Sequence, residues 1–229
     1  MRAGRVLARL ASVALLVLLL TAAPSAADVP AAACPAVIAA PAPGAVPTPA
    51  SPPTGPVAPG AEQIVVCVGS QAIAGASYLH WLAVAEKVAV PGKGERAPTA
   101  TELRHEVLEY LISAEWLRLE ANALGIHVTK AAVKREFAHL CAQQFPRHRE
   151  FEAFLRESGQ SVADLLERVE ATPLSLRILN RVQAGHHSAR SKERATARFV
   201  KAFNVRWRPQ TYCASEYAVA DCGHVQGAG

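Results

Sequence analysis

Met1 is the only methionine in this chain of 229 residues, no aromatic residue precedes Tyr78, and no charged residue lies between Pro35 and Gly60. Each absence excludes something. Without rings or dense charge, and with 11 of the 16 prolines at or before Pro59, the first 60 residues cannot build a packed core; the foldable part is the remaining 169 residues (229 − 60), enough for one domain. The leucine-rich run from Leu10 to Ala23 has 14 residues, short of the roughly 20 a membrane-spanning helix needs. The charged share of 19% is too high for a multi-span membrane protein. No Cys-x-x-Cys pair, Gly-x-Ser-x-Gly elbow or phosphate-binding loop occurs, so no catalytic or nucleotide motif stands out. His139 and Cys141 are two apart and His186-His187 are adjacent, spacings that point the side chains of a helix in different directions; no metal site and no cofactor are expected. The net charge of +5 includes Arg2, Arg5 and Arg9, which leaves +2 for the rest and gives nucleic-acid binding no support. Lys130, Lys134 and Arg135 read as a solvated helix face.

What is present at the N-terminus has the order of an export signal. Arg2, Arg5 and Arg9 precede the apolar run, and Pro24, Ser25, Ala26 and Ala27 follow it, so residues 1–27 are expected to be removed and the mature chain to be exported, extracellular or envelope-associated. Ala31-Ala32-Ala33-Cys34 offers a competing reading in which Cys34 becomes the first residue and is lipidated; Asp28 and Pro30 separate it from the apolar run, and Ala31 stands where leucine is usual. A lipid at Cys34 or an uncleaved signal would keep the protein close to the membrane. Residues 28–61 form a Pro/Ala-rich linker. Its prolines favour extended polyproline II, a semi-rigid spacer; a ligand for a proline-reading module is the rival, but basic flanks are missing.

From residue 62 the periodicity is helical, with one exception at the start. Ile64 to Val68 is a β-branched run closed by Gly69, a strand and turn. A helix is expected from Ser77 to Val90, ended by Pro91, Gly92 and Gly94. Thr99 with Glu102 makes a capping box, and Leu103, Val107, Leu111, Ala114, Leu117, Ala121 and Leu124 advance in steps of three and four up to Gly125, the expected C-terminal stop. Thr129 caps a third helix with Val133, Phe137, Leu140 and Cys141 on one side. A fourth runs from Arg149 to Glu157 and stops at Gly159, and Ser161 with Asp164 opens a fifth. Pro173 is expected to kink or break that fifth helix, because an interior proline loses a hydrogen bond and crowds the preceding turn. Gln183 to Arg190 is a polar hinge before a last helix from Ser191 with Phe199 and Phe203, whose apolar side, with Trp207, should return to the early helices.

Residues 206–229 are expected to form a small hairpin and tail. Cys213 and Cys222 have eight residues between them, and a disulfide there would contribute on the order of 2–3 kcal/mol. A metal site using Cys213, Cys222 and His224 is the alternative, without the paired spacing of a zinc site. Cys67 and Cys141 read as small core residues, or as partners of one another.

The stretch LRHEVLEYLISAEWLRLEANALGIHVTKAAVKREF, preceded by IVVCVGSQAI and followed by ESGQSVADLLERVE, resembles the N-terminal chaperone domain of the SurA and PrsA foldases over most of residues 63–205. The resemblance implies a mostly α fold, a SurA N-terminal-like helical domain over 62–205 with a short N-terminal strand, completed here by a C-terminal disulfide-bonded hairpin. Many such foldases insert a parvulin-type prolyl isomerase domain before the last helix; the eight residues Gln183 to Arg190 cannot hold one, since a compact domain takes roughly 50 residues or more. The implied function is an extracytoplasmic chaperone or holdase, with unfolded or extended polypeptides as partners. The alternatives are a peptidyl-prolyl isomerase, from family membership, and an envelope module with one fixed partner. The family cradles clients on apolar surface, which makes Tyr78, Trp81, Tyr110, Trp116, Phe145, Phe151 and Phe154 the candidate peptide contacts.

Overall fold

The computed structural model describes residue 60, residues 63–89, residue 91 and residues 96–223. The expected signal peptide, nearly all of the linker, Cys34 and His224 lie outside them. The elements are β1 (Ile64–Val68), β2 (Gln71–Ala74), α1 (Gly75–Val88), α2 (Ala100–Ala123), α3 (Lys130–Gln144), α4 (His148–Ser158), α5 (Val162–Gln183), α6 (Ala189–Trp207) and β3 (Thr211–Cys213).

The fold is mostly helical around a small antiparallel sheet of order β2-β1-β3. All five residues of β1 are buried, which is why its run is β-branched without alternation: both faces of this strand are covered. Two features depart from the sequence reading. Gln71 to Ala74 is a second strand rather than part of a turn, folded back across Gly69-Ser70 so that Val68 faces Gln71 and Cys67 faces Ala72. The C-terminal segment does not form a hairpin of its own. Its strand β3 joins the free edge of β1, with Val66 opposite Cys213 and Val68 opposite Thr211. The residues after Cys213 turn in a short 3-10 segment, Ser215–Tyr217, and bring Cys222 back to form the expected Cys213–Cys222 disulfide. The edge of β1 satisfies the backbone of β3, which a bent nine-residue return could not do.

The helix ends follow their local chemistry. Thr99 and Glu102, and Ser161 and Asp164, make full capping boxes, and Thr129 caps α3 through the Ala132 amide. At the end of α2 the Ile126 amide reaches the Ala121 carbonyl and the Gly125 amide reaches that of Asn122, with Gly125 at φ 64°, a conformation in which a side chain would be strained. The last helix starts earlier than read, at Ala189 behind a Ser188–Ser191 box, so five residues, 184–188, join α5 to α6.

Pro173 does not break α5, which runs through it from Val162 to Gln183. The missing amide costs on the order of 3 kcal/mol in an unsupported helix. Here Ala171, Leu174 and Ile178, at 0%, 5% and 3% exposure, hold both sides of the proline in a packed core, and tertiary burial offsets the local penalty.

Two cores result. The first gathers the sheet, Tyr78, Trp81 and Val84 of α1, Val107, Leu108, Leu111, Ile112 and Trp116 of α2, Trp207 of α6, and Tyr217, Val219 and Cys222. The second lies between Ala114, Leu117 and Ala121 of α2 and Ala171, Leu174 and Ile178 of α5, with Phe199 of α6 against it. Helix α2 is shared by both. The expected return of the last helix is found, with Phe203 edge-on to Trp116 at 5.9 Å between ring centres.

Candidate functional site

The outermost layer is the pair α3 and α4. Helix α3 packs on α5 and α4 on α1, and neither contributes a side chain to the two cores; Val133 of α3 is buried outside both. Their remaining apolar side chains therefore gather on one another. Phe151 meets Phe137 at 6.0 Å and Phe145 at 5.5 Å, and Phe145 meets Phe154 at 5.1 Å between centroids. All four rings are half-buried. Helix α4 ends at Gly159, whose φ of 69° is a left-handed turn that strains any residue with a side chain; the flexible end of the Lys87 side chain lies across it.

The seven candidate contacts divide between this layer and the first core. Phe145, Phe151 and Phe154 belong to the layer, joined by Phe137, which the sequence reading assigned to packing. Tyr78, Trp81 and Trp116 are core residues at 3%, 4% and 4% exposure. Tyr78 lies edge-on to Tyr217, and Trp116 donates from Nε1 to the Thr211 hydroxyl at 2.7 Å. Tyr110, half-buried, sits edge-on to Trp81 at 5.2 Å, and burial pushes its phenol well above the ordinary range. The distinction was not available from composition, because a ring at helical spacing looks alike on a core face and on an outer one.

A polar junction lies where α1, α2 and α5 meet. His80 Nε2 donates to Asp164 Oδ1 at 3.0 Å, and Asp164 Oδ2 accepts from the Ser161 amide at 2.7 Å. Serine, aspartate and histidine meet here without forming a nucleophilic triad: the Ser161 hydroxyl accepts from the Asp164 amide and lies at the wrong end of the carboxylate to reach a histidine base. The arrangement is a helix cap fastened to α1. Desolvation pushes the Asp164 carboxyl upward, but the Ser161 hydrogen bonds and His80 outweigh it and hold the group below its usual value. Arg118 bridges Glu115 at 2.8 Å and Glu167 at 3.5 Å, while Arg168 reaches Gln160 and lies 5.8 Å over the Trp81 ring.

Glu167 behaves oppositely to Asp164. Burial raises its carboxyl to about 8, against the lowering effect of Arg118, with Asp164 and Glu170 adding to the rise. Between its unfolded value of 4.5 and about 8 the native state holds a proton that the unfolded chain has lost, so stability falls as pH rises through that window. Urea midpoints measured from about pH 5 to about pH 8 are expected to decline, and Glu167→Gln is expected to flatten the decline; an unchanged slope in the variant would assign the dependence elsewhere.

A cavity of about 150 Å³ opens beside the end of α2, lined among others by Arg118, Asn122, His127 and Glu170, well below the roughly 300–1,000 Å³ of typical ligand sites. Among the described residues no group of three or more His, Cys, Asp or Glu side chains could hold a metal, and no helix is long and apolar enough to cross a membrane. Cys213 and Cys222, the ligands of the alternative metal reading, are consumed by their disulfide, a bond consistent with an oxidising compartment. Cys141 carries a free thiol, so the alternative Cys67–Cys141 pairing does not form. No family model, curated protein or solved structure matches the chain.

Proposed function

We propose that the protein is an exported, non-enzymatic holdase on a SurA N-terminal-like scaffold, and that it receives extended, non-native polypeptides on the phenylalanine layer of α3 and α4. The observation that carries this reading is the segregation of Phe137, Phe145, Phe151 and Phe154 from both buried cores, half-buried against one another on α3, its C-terminal cap and α4. Aromatic rings offer large contact area at low entropic cost, and a client needs nothing more from a holdase than apolar area it can enter and leave. The five-residue connection between α5 and α6 is too short for the isomerase domain that many such foldases insert there, which argues against the isomerase reading. The disulfide supports export.

A fixed-partner module is the second reading, favoured by Leu176 of α5 and Val200 and Val205 of α6, exposed at 52%, 48% and 68%. Two assays separate the readings: suppression of aggregation of an unrelated unfolded client, and refolding of a proline-limited substrate. The protein is expected to suppress aggregation stoichiometrically and to leave the refolding rate unchanged. Phe145→Ser/Phe154→Ser is expected to weaken client affinity about tenfold, since each 1.4 kcal/mol is a factor of ten and two aromatic contacts supply at least that. Catalysed refolding at substoichiometric protein would overturn the holdase, and inactivity in both assays would favour the fixed partner.

A further inference from the structure

Helix α6 concentrates the positive charge of the domain. Six of its 19 residues are basic, Arg190, Lys192, Arg194, Arg198, Lys201 and Arg206, against the single acidic Glu193, a net charge of +5. Residues 61–188 hold fourteen basic and fifteen acidic residues, so the domain before α6 is close to neutral. The cations are also ordered in space. Arg190, Arg194, Arg198 and Lys201 follow one another in steps of four, four and three, one stripe about 16 Å long, and Val205 continues it four residues on. All five are exposed, while Phe199, Phe203 and Trp207 on the opposite side of the helix pack on the two cores.

An ordinary solvated helix face mixes both signs, so that neighbours one turn apart attract. This one repels itself. Among the described residues Arg206 is the one cation of α6 with an ion-pair partner, Glu120, and it lies off the stripe. Arg190 and Arg194, and Arg194 and Arg198, are like charges four residues apart, and Arg190 and Lys192 stand at the start of the helix, where its dipole disfavours cations. The stripe weakens the helix that carries it, and an external layer of anions would relieve both repulsions.

We propose that the stripe Arg190, Arg194, Arg198 and Lys201, with Val200 and Val205 beside it, docks the protein on the surface of an anionic lipid bilayer. The form of the face favours a bilayer over a folded acidic partner. It is a straight row on a convex helix, and none of its four charges is fixed by an acidic neighbour among the described residues, so each can follow the headgroup nearest to it. Val200 and Val205, 48% and 68% exposed, stand among the cations, where they can enter the headgroup boundary while the long basic stems keep their charges at the phosphates. Attachment of this kind is peripheral, because the other side of α6 stays packed on protein. The proposal does not need the holdase reading, whose phenylalanine layer lies on α3 and α4. It gives Val200 and Val205 a lipid occupant in place of a fixed protein partner.

The test is sedimentation of full-chain protein, purified from an exporting host, with two kinds of vesicle: phosphatidylcholine alone, and phosphatidylcholine mixed equally with phosphatidylglycerol. Binding is expected to be tighter on the anionic vesicles and to weaken as salt rises from about 0.1 M to about 0.5 M. Each basic residue at such a surface contributes roughly a factor of five, so Arg194→Gln/Arg198→Gln/Lys201→Gln is expected to lower partitioning about a hundredfold. These three side chains are exposed and outside both cores, so the variant keeps its fold. Val200→Ser/Val205→Ser is expected to lower partitioning about fivefold. Lys130→Gln/Lys134→Gln/Arg135→Gln removes the same charge from an exposed face of α3 and is expected to bind as the unaltered protein does. Equal binding to both vesicles, as a lipid anchor alone would give, or no binding to either would overturn the proposal. So would an α6 variant of either kind that binds undiminished, an equal loss in the α3 variant, or retention by soluble polyglutamate as tight as by the anionic vesicles.

Discussion

Glu120→Ala is expected to lower stability by about 3 kcal/mol, one of the largest effects of any single polar substitution in this domain. Glu120 is 2% exposed in the middle of the helical bundle, where its Oε2 accepts from Trp207 Nε1 at 2.8 Å and both oxygens face Arg206 Nη1 at 3.0 and 3.1 Å. The partners do not contribute equally. The Arg206 side chain is 51% exposed and can return to water, so its loss costs under about 1 kcal/mol. Trp207 is 8% exposed, and its indole would be left with a buried donor and no acceptor, about 1–3 kcal/mol, with a further contribution from the space vacated by the carboxylate stem. Roughly 2–4 °C per kcal/mol for a domain of this size gives a Tm lower by about 6–12 °C. Glu120→Gln keeps an acceptor for the indole and is expected to recover most of the loss. Equal loss in the two variants would show that charge, not the indole bond, is what α2 supplies.

The second large effect belongs to the Cys213–Cys222 disulfide. Replacing both residues by alanine reopens a ten-residue loop in the unfolded chain and should cost roughly 2–3 kcal/mol, or about 4–12 °C in Tm. The damage should be local first. Tyr217 and Val219, buried at 6% and 4%, pack in the first core with Cys222, and the Gly223 amide closes the turn on the Thr211 carbonyl at 2.8 Å. Limited proteolysis should therefore cut the variant between Ala214 and Cys222 before the helices yield. Cleavage first in α3 or α4 would show that the C-terminal return holds without its bridge.

The first of these effects rests on contacts that span the chain. Trp116 of α2 donates to Thr211 of β3, Thr211 in turn donates to the Trp207 carbonyl, and Trp207 of α6 donates back to Glu120 of α2, one turn from Trp116. This reciprocal latch ties α2 to Trp207 and Thr211, partners 87 and 95 positions away in the chain. Neither tryptophan announces it in the sequence, where Trp116 reads equally well as a client contact.

The candidate site was legible in the same partial way. Phe151 and Phe154 were recognisable on a short helix and Phe145 as an aromatic residue just before it, but their grouping with Phe137 depends on α3 folding back against α4 across Pro146 and Arg147. The contrast with Tyr78 and Trp81 arises because α1 is pressed between the sheet and α2, while α3 and α4 each have a free side. Periodicity tells which residues share a helix face. It does not tell what that face meets.

What the sequence by itself determined is local: the mostly helical character, the caps at Thr99, Thr129 and Ser161, the stops at Gly125 and Gly159, and the pairing of Cys213 with Cys222 across a short loop. Each is fixed by groups within a few residues of one another, so chain order and chain geometry nearly coincide. Tertiary structure decided the rest. It paired β3 with β1 because a buried strand edge must find backbone partners, kept α5 continuous through Pro173 because core burial outweighs one missing hydrogen bond, and sorted the aromatic residues into core and outer layer according to which helix faces were already covered.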